Sequence, residues 1–191
     1  MYLVVSGNIG TGKTTLVRQL QSRIGVCVAA EEQRSVFLKR YLADKRFAFA
    51  NQLDYTLQFV ELAAWASSQS VPVIQERSFE ETHAVFSGIL HDEGVIDDEM
   101  YSLLKRCVDI GRKWRAPSHI VILEAQVDEL FKRIHRRADP QERGITKEYV
   151  ERLAERYESW SASLADARVL RIATDDMTPT AIADAVVSWI G

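Results

Sequence analysis

Gly7-Asn8-Ile9-Gly10-Thr11-Gly12-Lys13-Thr14-Thr15 is the stretch that decides how this chain folds. A glycine, four residues, then Gly-Lys-Thr is the spacing of a phosphate-binding loop. That spacing carries weight only between a strand and a helix, and both flanks are present. Tyr2-Leu3-Val4-Val5-Ser6 is a short apolar run suited to a buried strand, and Thr14 to Ile24 has helical spacing, with Leu16 and Leu20 four apart. The glycines let successive backbone N–H groups turn inward around a phosphate, and the following helix N-terminus adds partial positive charge there. Lys13 is placed to reach the outer phosphates, and the Thr14 hydroxyl to hold Mg²⁺. The loop implies a nucleoside triphosphate without saying what is done with it.

The bulk properties narrow the classes. At 191 residues, with 47% hydrophobic and 27% charged residues, the chain suits one globular domain with a sizeable core. A net charge of −3 supplies no global field for nucleic acid, so no nucleic-acid partner is expected. Cys27 and Cys107 fit no metal or redox spacing and read as core thiols. No run is apolar enough for a membrane span, and the first strand begins at Tyr2, so a cytoplasmic protein is expected.

Beyond the loop, strands and helices alternate. Val26 to Ala30 reads as a second strand ending in Glu31-Glu32, and Ser35 to Leu42 as a helix with Ser35 as N-cap. A longer helix spans about Phe47 to Ser68, with Phe49, Leu53, Leu57, Val60 and Ala64 as its apolar stripe and Gln52, Tyr55 and Phe59 on a second face. The third strand, Val71 to Gln75, runs into Glu76-Arg77-Ser78, where an acid at a strand end suits Mg²⁺. Val95 to Trp114 is amphipathic, with Ile96, Met100, Leu103, Cys107, Ile110 and Trp114 as core or subunit interface. His119 to Glu124 is the fourth strand. Val127 to Arg137 is a helix that becomes basic (Lys132, Arg133, Arg136, Arg137), broken by Asp139-Pro140 and Gly144. A cationic, interrupted segment of about residues 133–145 suits a lid over phosphates. Thr146 caps a helix to about Leu164, Val169 to Ala173 is the fifth strand, and Thr178-Pro179 opens a last helix. The expected fold is α/β: a five-stranded parallel sheet with helices on both faces, in three layers.

Together these pieces resemble the P-loop deoxyribonucleoside kinases over nearly the whole chain. The loop through Leu16 is close to that family's phosphate loop, and Glu76-Arg77-Ser78 matches its Glu/Asp-Arg-Ser motif. Arg133-Ile134, Arg137, Glu142, Tyr149 and Trp160 resemble its lid and the helix beyond. Phe47-Ala48-Phe49 with Gln52 resembles its base-reading segment, and Tyr41 lies eleven residues before Gln52, as the family's sugar-binding tyrosine does.

The resemblance implies ATP- and Mg²⁺-dependent phosphorylation of a nucleoside 5′-hydroxyl by a homodimer. Glu31, or Glu32 in another register, would be the general base, since the usual proline after that glutamate is absent. Arg77 would steady the base and the reacting phosphate, Glu76 would support Mg²⁺ with Thr14, and Lys13 and Arg137 would stabilise the phosphoryl group. Tyr41 and Glu142 would bind the 3′-hydroxyl, Gln52 the base, and Arg133 would lie near the donor's adenine. Asp139 stands where a second lid arginine is common, with Arg136 or Arg143 as substitutes. Phe59 and Thr82 stand where some members carry an Arg–Asp pair at the base, which leaves base preference open. The alternatives are a kinase of a nucleoside monophosphate or of a modified base in DNA, and, from another class, a non-catalytic nucleotide-binding subunit.

Overall fold

The computed structural model describes residues 1–29, 35–114, 116–164 and 168–191. Five parallel strands, β1 (Tyr2–Gly7), β2 (Cys27–Ala29), β3 (Val73–Glu76), β4 (His119–Glu124) and β5 (Val169–Ala173), form one sheet in the order β2-β3-β1-β4-β5. The first strand is central, and all six of its residues are buried, as a strand covered on both faces requires.

Strand alternation sorts the side chains into two layers. Leu3, Val5, Val121 and Leu123 point to one face, where α1 (Lys13–Ile24) and α9 (Pro179–Ile190) supply Leu16, Leu20, Ile182 and Val186. Tyr2 and Val4 point to the other face and meet Ala66 of α3 (Ala48–Ser68). On that face, Ile122 meets Val85 and α8 (Lys147–Ala162), which contributes Leu153, Tyr157 and Trp160. Each fully buried aliphatic is worth roughly 1.5–3 kcal/mol relative to exposure. The expected α/β, three-layer arrangement is therefore present, and no described helix is long and apolar enough to cross a membrane. Cys27 and Cys107 are free thiols.

Several local expectations need correction. Ser35 does not cap a helix directly. Its Oγ accepts from Phe37 N at 3.1 Å, and α2 (Leu38–Ala43) begins after a turn. On α3 the buried face is Ala48, Asn51, Gln52, Thr56, Phe59, Ala63 and Ala66, whereas Leu57 is 44% exposed. The polar residues turn inward because that face walls a cavity. On α6 (Asp98–Gly111) the inward residues are Leu104 and Val108, while Leu103, Ile110 and Trp114 are exposed. Residues after Ser78 form one turn, α4 (Phe79–Glu81), then a π-helical turn (Thr82–Ser87), then α5 (Gly88–Asp92). The basic segment from Arg133 to Arg137 completes the regular helix α7 (Val127–Arg137), so the irregular part of the expected lid starts at Ala138, φ +53°, and includes a 3-10 turn at Pro140–Glu142.

Candidate active site

The β1–β3 register pairs Val5 with Glu76, which sets the glycine loop beside the Glu76-Arg77-Ser78 turn at the carboxyl edge of the sheet. Gly7 has φ +141°, and a Cβ there would lie 2.4 Å from the Leu123 carbonyl oxygen, so only glycine lets β1 leave the sheet here. Asn8 braces the loop: Oδ1 accepts from Ile9 N at 2.7 Å, and Nδ2 donates to the Val150 carbonyl at 3.1 Å. Thr11 Oγ1 donates to the Asn8 carbonyl at 2.9 Å.

Next to the loop lies a cavity of about 770 Å³. Ile9, Gly10, Gly12, Lys13, Thr14 and Thr15 line it, while Gly7, Asn8 and Thr11 stand behind as framework. Lys13 Nζ donates to the carbonyls of Gly7 and Asn8, each at 2.9 Å. Burial, and then the Arg77 charge, lower its pKa from 10.5 to about 7. Thr14 Oγ1 donates to the Glu76 carboxylate, at 2.8 Å to Oε2. Mg²⁺ asks for one or two hard protein oxygens and takes its remaining ligands from water and phosphate, so this hydroxyl–carboxylate pair fits it.

Arg77 has φ +64°, a costly backbone for a non-glycine residue, and its surroundings hold it there. Its N–H donates to the Val5 carbonyl at 3.0 Å, and its carbonyl accepts from Gln75 Nε2 at 2.9 Å. The guanidinium donates to Glu81 Oε1 at 3.0 Å and Tyr157 Oη at 2.8 Å, and lies 4.7 Å from the Phe86 ring centre. Glu81 is wholly buried. It also accepts from Ser6 Oγ at 2.6 Å and from the Tyr157 hydroxyl, which burial keeps protonated. Sequence reasoning passed over Glu81 and Tyr157 as a pair with Arg77. The signal was available: Ser78 and Glu81 have capping-box spacing, and Arg77 and Glu81 are i,i+4 partners.

The remaining expected residues divide. Tyr41, Gln52, Phe59, Thr82, Arg137 and Glu142 all line the cavity. Tyr41 Oη accepts from Lys45 Nζ at 2.9 Å. Arg137 and Glu142 hold each other, with Nη2 to Oε1 at 2.5 Å. Arg133 lies outside the cavity, bonded to Glu129 at 2.8 Å and Thr174 Oγ1 at 3.1 Å. Arg136 and Arg143 do not line it either; Lys45 and Arg152 do. Asp139 caps the 3-10 turn, accepting from Gln141 N at 2.9 Å. Glu31 and Glu32 fall outside the described residues.

The deoxynucleoside kinase family model matches residues 3–188. The chain belongs to the deoxynucleoside kinase family. As such it is a kinase that moves a phosphoryl group from a nucleoside triphosphate to a nucleoside. It is similar to the deoxyadenosine/deoxycytidine kinase of Bacillus subtilis (strain 168), 24% identical over 179 residues, covering 91% of this chain and 82% of that one. It is 31% identical to the thymidine kinase of Ictalurid herpesvirus 1 (strain Auburn) over 174 residues, covering 85% of this chain and 75% of the relative. In fold it resembles the deoxyadenosine kinase from M. mycoides solved with bound dATP: TM-score 0.84 at 18% identity, covering 100% of this kinase and 99% of the other chain.

Proposed function

We propose that this kinase transfers the γ-phosphoryl group of ATP, with Mg²⁺, to the 5′-hydroxyl of a deoxyribonucleoside. The observation that carries this is the single cavity with two chemistries. Its lining joins the phosphate loop, Lys13, Thr14 and Glu76 to Gln52, Tyr55, Phe59 and Phe86, with Arg77 lying over the Phe86 ring between them. Aromatic faces and an amide suit a flat polar ring, and amides and cations suit phosphate.

Phosphoryl transfer passes through a loose transition state with charge on the phosphoryl oxygens, so cations and positioning do most of the catalysis. Lys13 would exchange two carbonyls for phosphate oxygens. Arg137 would leave Glu142 for the transferring group as residues 138–145 close, freeing the Glu142 carboxylate for the sugar 3′-hydroxyl beside Tyr41. Arg77, fixed by Glu81, would face the acceptor oxygen. Glu31, or Glu32, would take its proton. Thr14 and Glu76 would hold Mg²⁺, which supplies positive charge against the triphosphate. The relatives are named for adenine, cytosine and thymine nucleosides, so the base is the open variable.

The decisive assay offers labelled ATP with four deoxynucleosides, their monophosphates and an oligonucleotide, with and without Mg²⁺. Transfer to a free nucleoside only, and only with Mg²⁺, is expected. Transfer only to monophosphates or DNA would replace this reading, and ATP binding without acceptor-dependent ADP would leave a binding subunit.

The exposed apolar residues Leu103, Ile110 and Trp114 on and beyond α6, with Leu57 on the packed neighbour α3, support a homodimer through this face. Sedimentation as a monomer at micromolar concentration would remove that part of the proposal.

A further inference from the structure

Asn51 lies on α3 beside Gln52, is only 2% exposed, and lines the cavity. Its amide oxygen is fully buried and, among the described residues, has no hydrogen-bond partner. Its neighbours at that end are engaged: Thr82 Oγ1 donates to the Ser78 carbonyl at 3.0 Å, and Ser87 Oγ donates to Gln52 Oε1 at 3.3 Å. Buried polar atoms left unpaired are rare and costly, and each asks for an explanation. Here Asn51 lines a ligand-sized space with that oxygen turned away from solvent, so a turn of its side chain toward the space would let a donor carried in by the ligand complete it.

The surroundings say what that ligand part is. Phe59, Phe86 and Tyr55 give this end aromatic walls, which fit a flat ring. The π-helical turn brings Phe86 to the cavity and Ser87 against Gln52 in succession. With its oxygen taken by Ser87, Gln52 has only its Nε2 hydrogens to give a ligand in the cavity it lines. Two adjacent amides then present one donor and one acceptor. The complement is a heterocycle edge with a ring nitrogen or carbonyl next to an N–H.

We propose that Asn51 is a second base-reading residue, whose amide oxygen accepts a hydrogen bond from an N–H on the nucleobase edge that Gln52 also contacts. This rests on the nucleoside kinase reading above and deepens it: the acceptor must be a nucleoside whose base carries such an N–H.

The test is a double-mutant cycle between protein and substrate. The best of the four deoxynucleosides is compared with an analogue lacking the edge N–H, for example purine 2′-deoxyriboside in place of deoxyadenosine. In the wild type the analogue is expected to lose at least about tenfold in kcat/KM, as a site built around a hydrogen bond rejects a substrate without it. Asn51→Leu should shrink that ratio to within about threefold, and Asn51→Ala does the same job where leucine is not tolerated. Asn51→Asp, which keeps an acceptor oxygen at the same place, should retain the preference. The same parent-to-analogue ratio in wild type and both truncations overturns the proposal while leaving the kinase reading intact. A wild type that phosphorylates no nucleoside brings down both.

Discussion

The two ends of the cavity are prepared differently for their ligands. At the phosphate end the charged groups are committed to one another: Lys13 to loop carbonyls, Thr14 to Glu76, Arg137 to Glu142, Arg77 to Glu81. At the proposed base end, aromatic rings line the cavity together with Asn51, whose amide oxygen has no hydrogen-bond partner among the described residues. The first end must exchange partners to bind, and the second must only be filled. Cations that would repel each other around an empty site are each held beside an oxygen, so the fold tolerates their concentration. A neutral pocket carries no such repulsion and can be left open in shape. On the proposed reading, selectivity for phosphate is a matter of charge exchange, and selectivity for the base a matter of shape together with the hydrogen bonds of Asn51 and Gln52.

The contrast can be broken from the charged side first. Lys13→Ala removes the cation at the centre of the exchange and should lower kcat on the order of 10²-fold or more, by analogy with other lost electrostatic donors, in a steady-state assay with saturating ATP. Full activity would mean that the phosphate end does not work by cations. Next is Glu81→Leu. It removes the buried carboxylate partner of the Arg77 guanidinium, whose side chain is 17% exposed. Breaking such a pair costs about 3–5 kcal/mol, to be read from urea unfolding, and activity should fall with it as Arg77 loses its direction. Tyr157→Phe removes the hydroxyl that bonds both Arg77 and Glu81 and should cost about 1–3 kcal/mol. Equal stability in both variants would show that Arg77 is held by something else.

The smallest effect is in pH. Lys13 has a folded pKa of about 7 against 10.5. Between those values the unfolded chain binds more protons, so this group makes stability rise with pH across that window and contributes no slope below it. A bound triphosphate restores the charge, so binding should take up a fraction of a proton above pH 7 and weaken by at most about tenfold per pH unit. Calorimetry in two buffers of different ionisation heat would detect the uptake, and identical heats would refute it.

The sheet and the phosphate end were legible because local pattern and tertiary role coincide there. The apolar runs His119–Glu124 and Val169–Ala173 are strands with those bounds, and the glycine loop sits between strand and helix as its spacing demands. Legibility fell where the environment reverses the usual rule. The face of α3 that buries Asn51, Gln52 and Thr56 looks like a solvent face in sequence, since nothing local announces a cavity. The π-helical turn at Thr82–Ser87 has neither a 3.6 nor a 2.0 period, so the stretch that brings Phe86 to the cavity and Ser87 to Gln52 had no periodic signature. Arg133 was the opposite case. Its motif position suggests a place near the donor's adenine, and the structure bonds it to Glu129 and Thr174 outside the cavity.

The Asn8–Val150 hydrogen bond spans 142 positions of chain. During synthesis every glycine of the nucleotide loop leaves the ribosome long before the carbonyl that anchors Asn8 has been made. The most recognisable motif in this kinase therefore reaches its finished shape only after the chain as far as Val150 has been made.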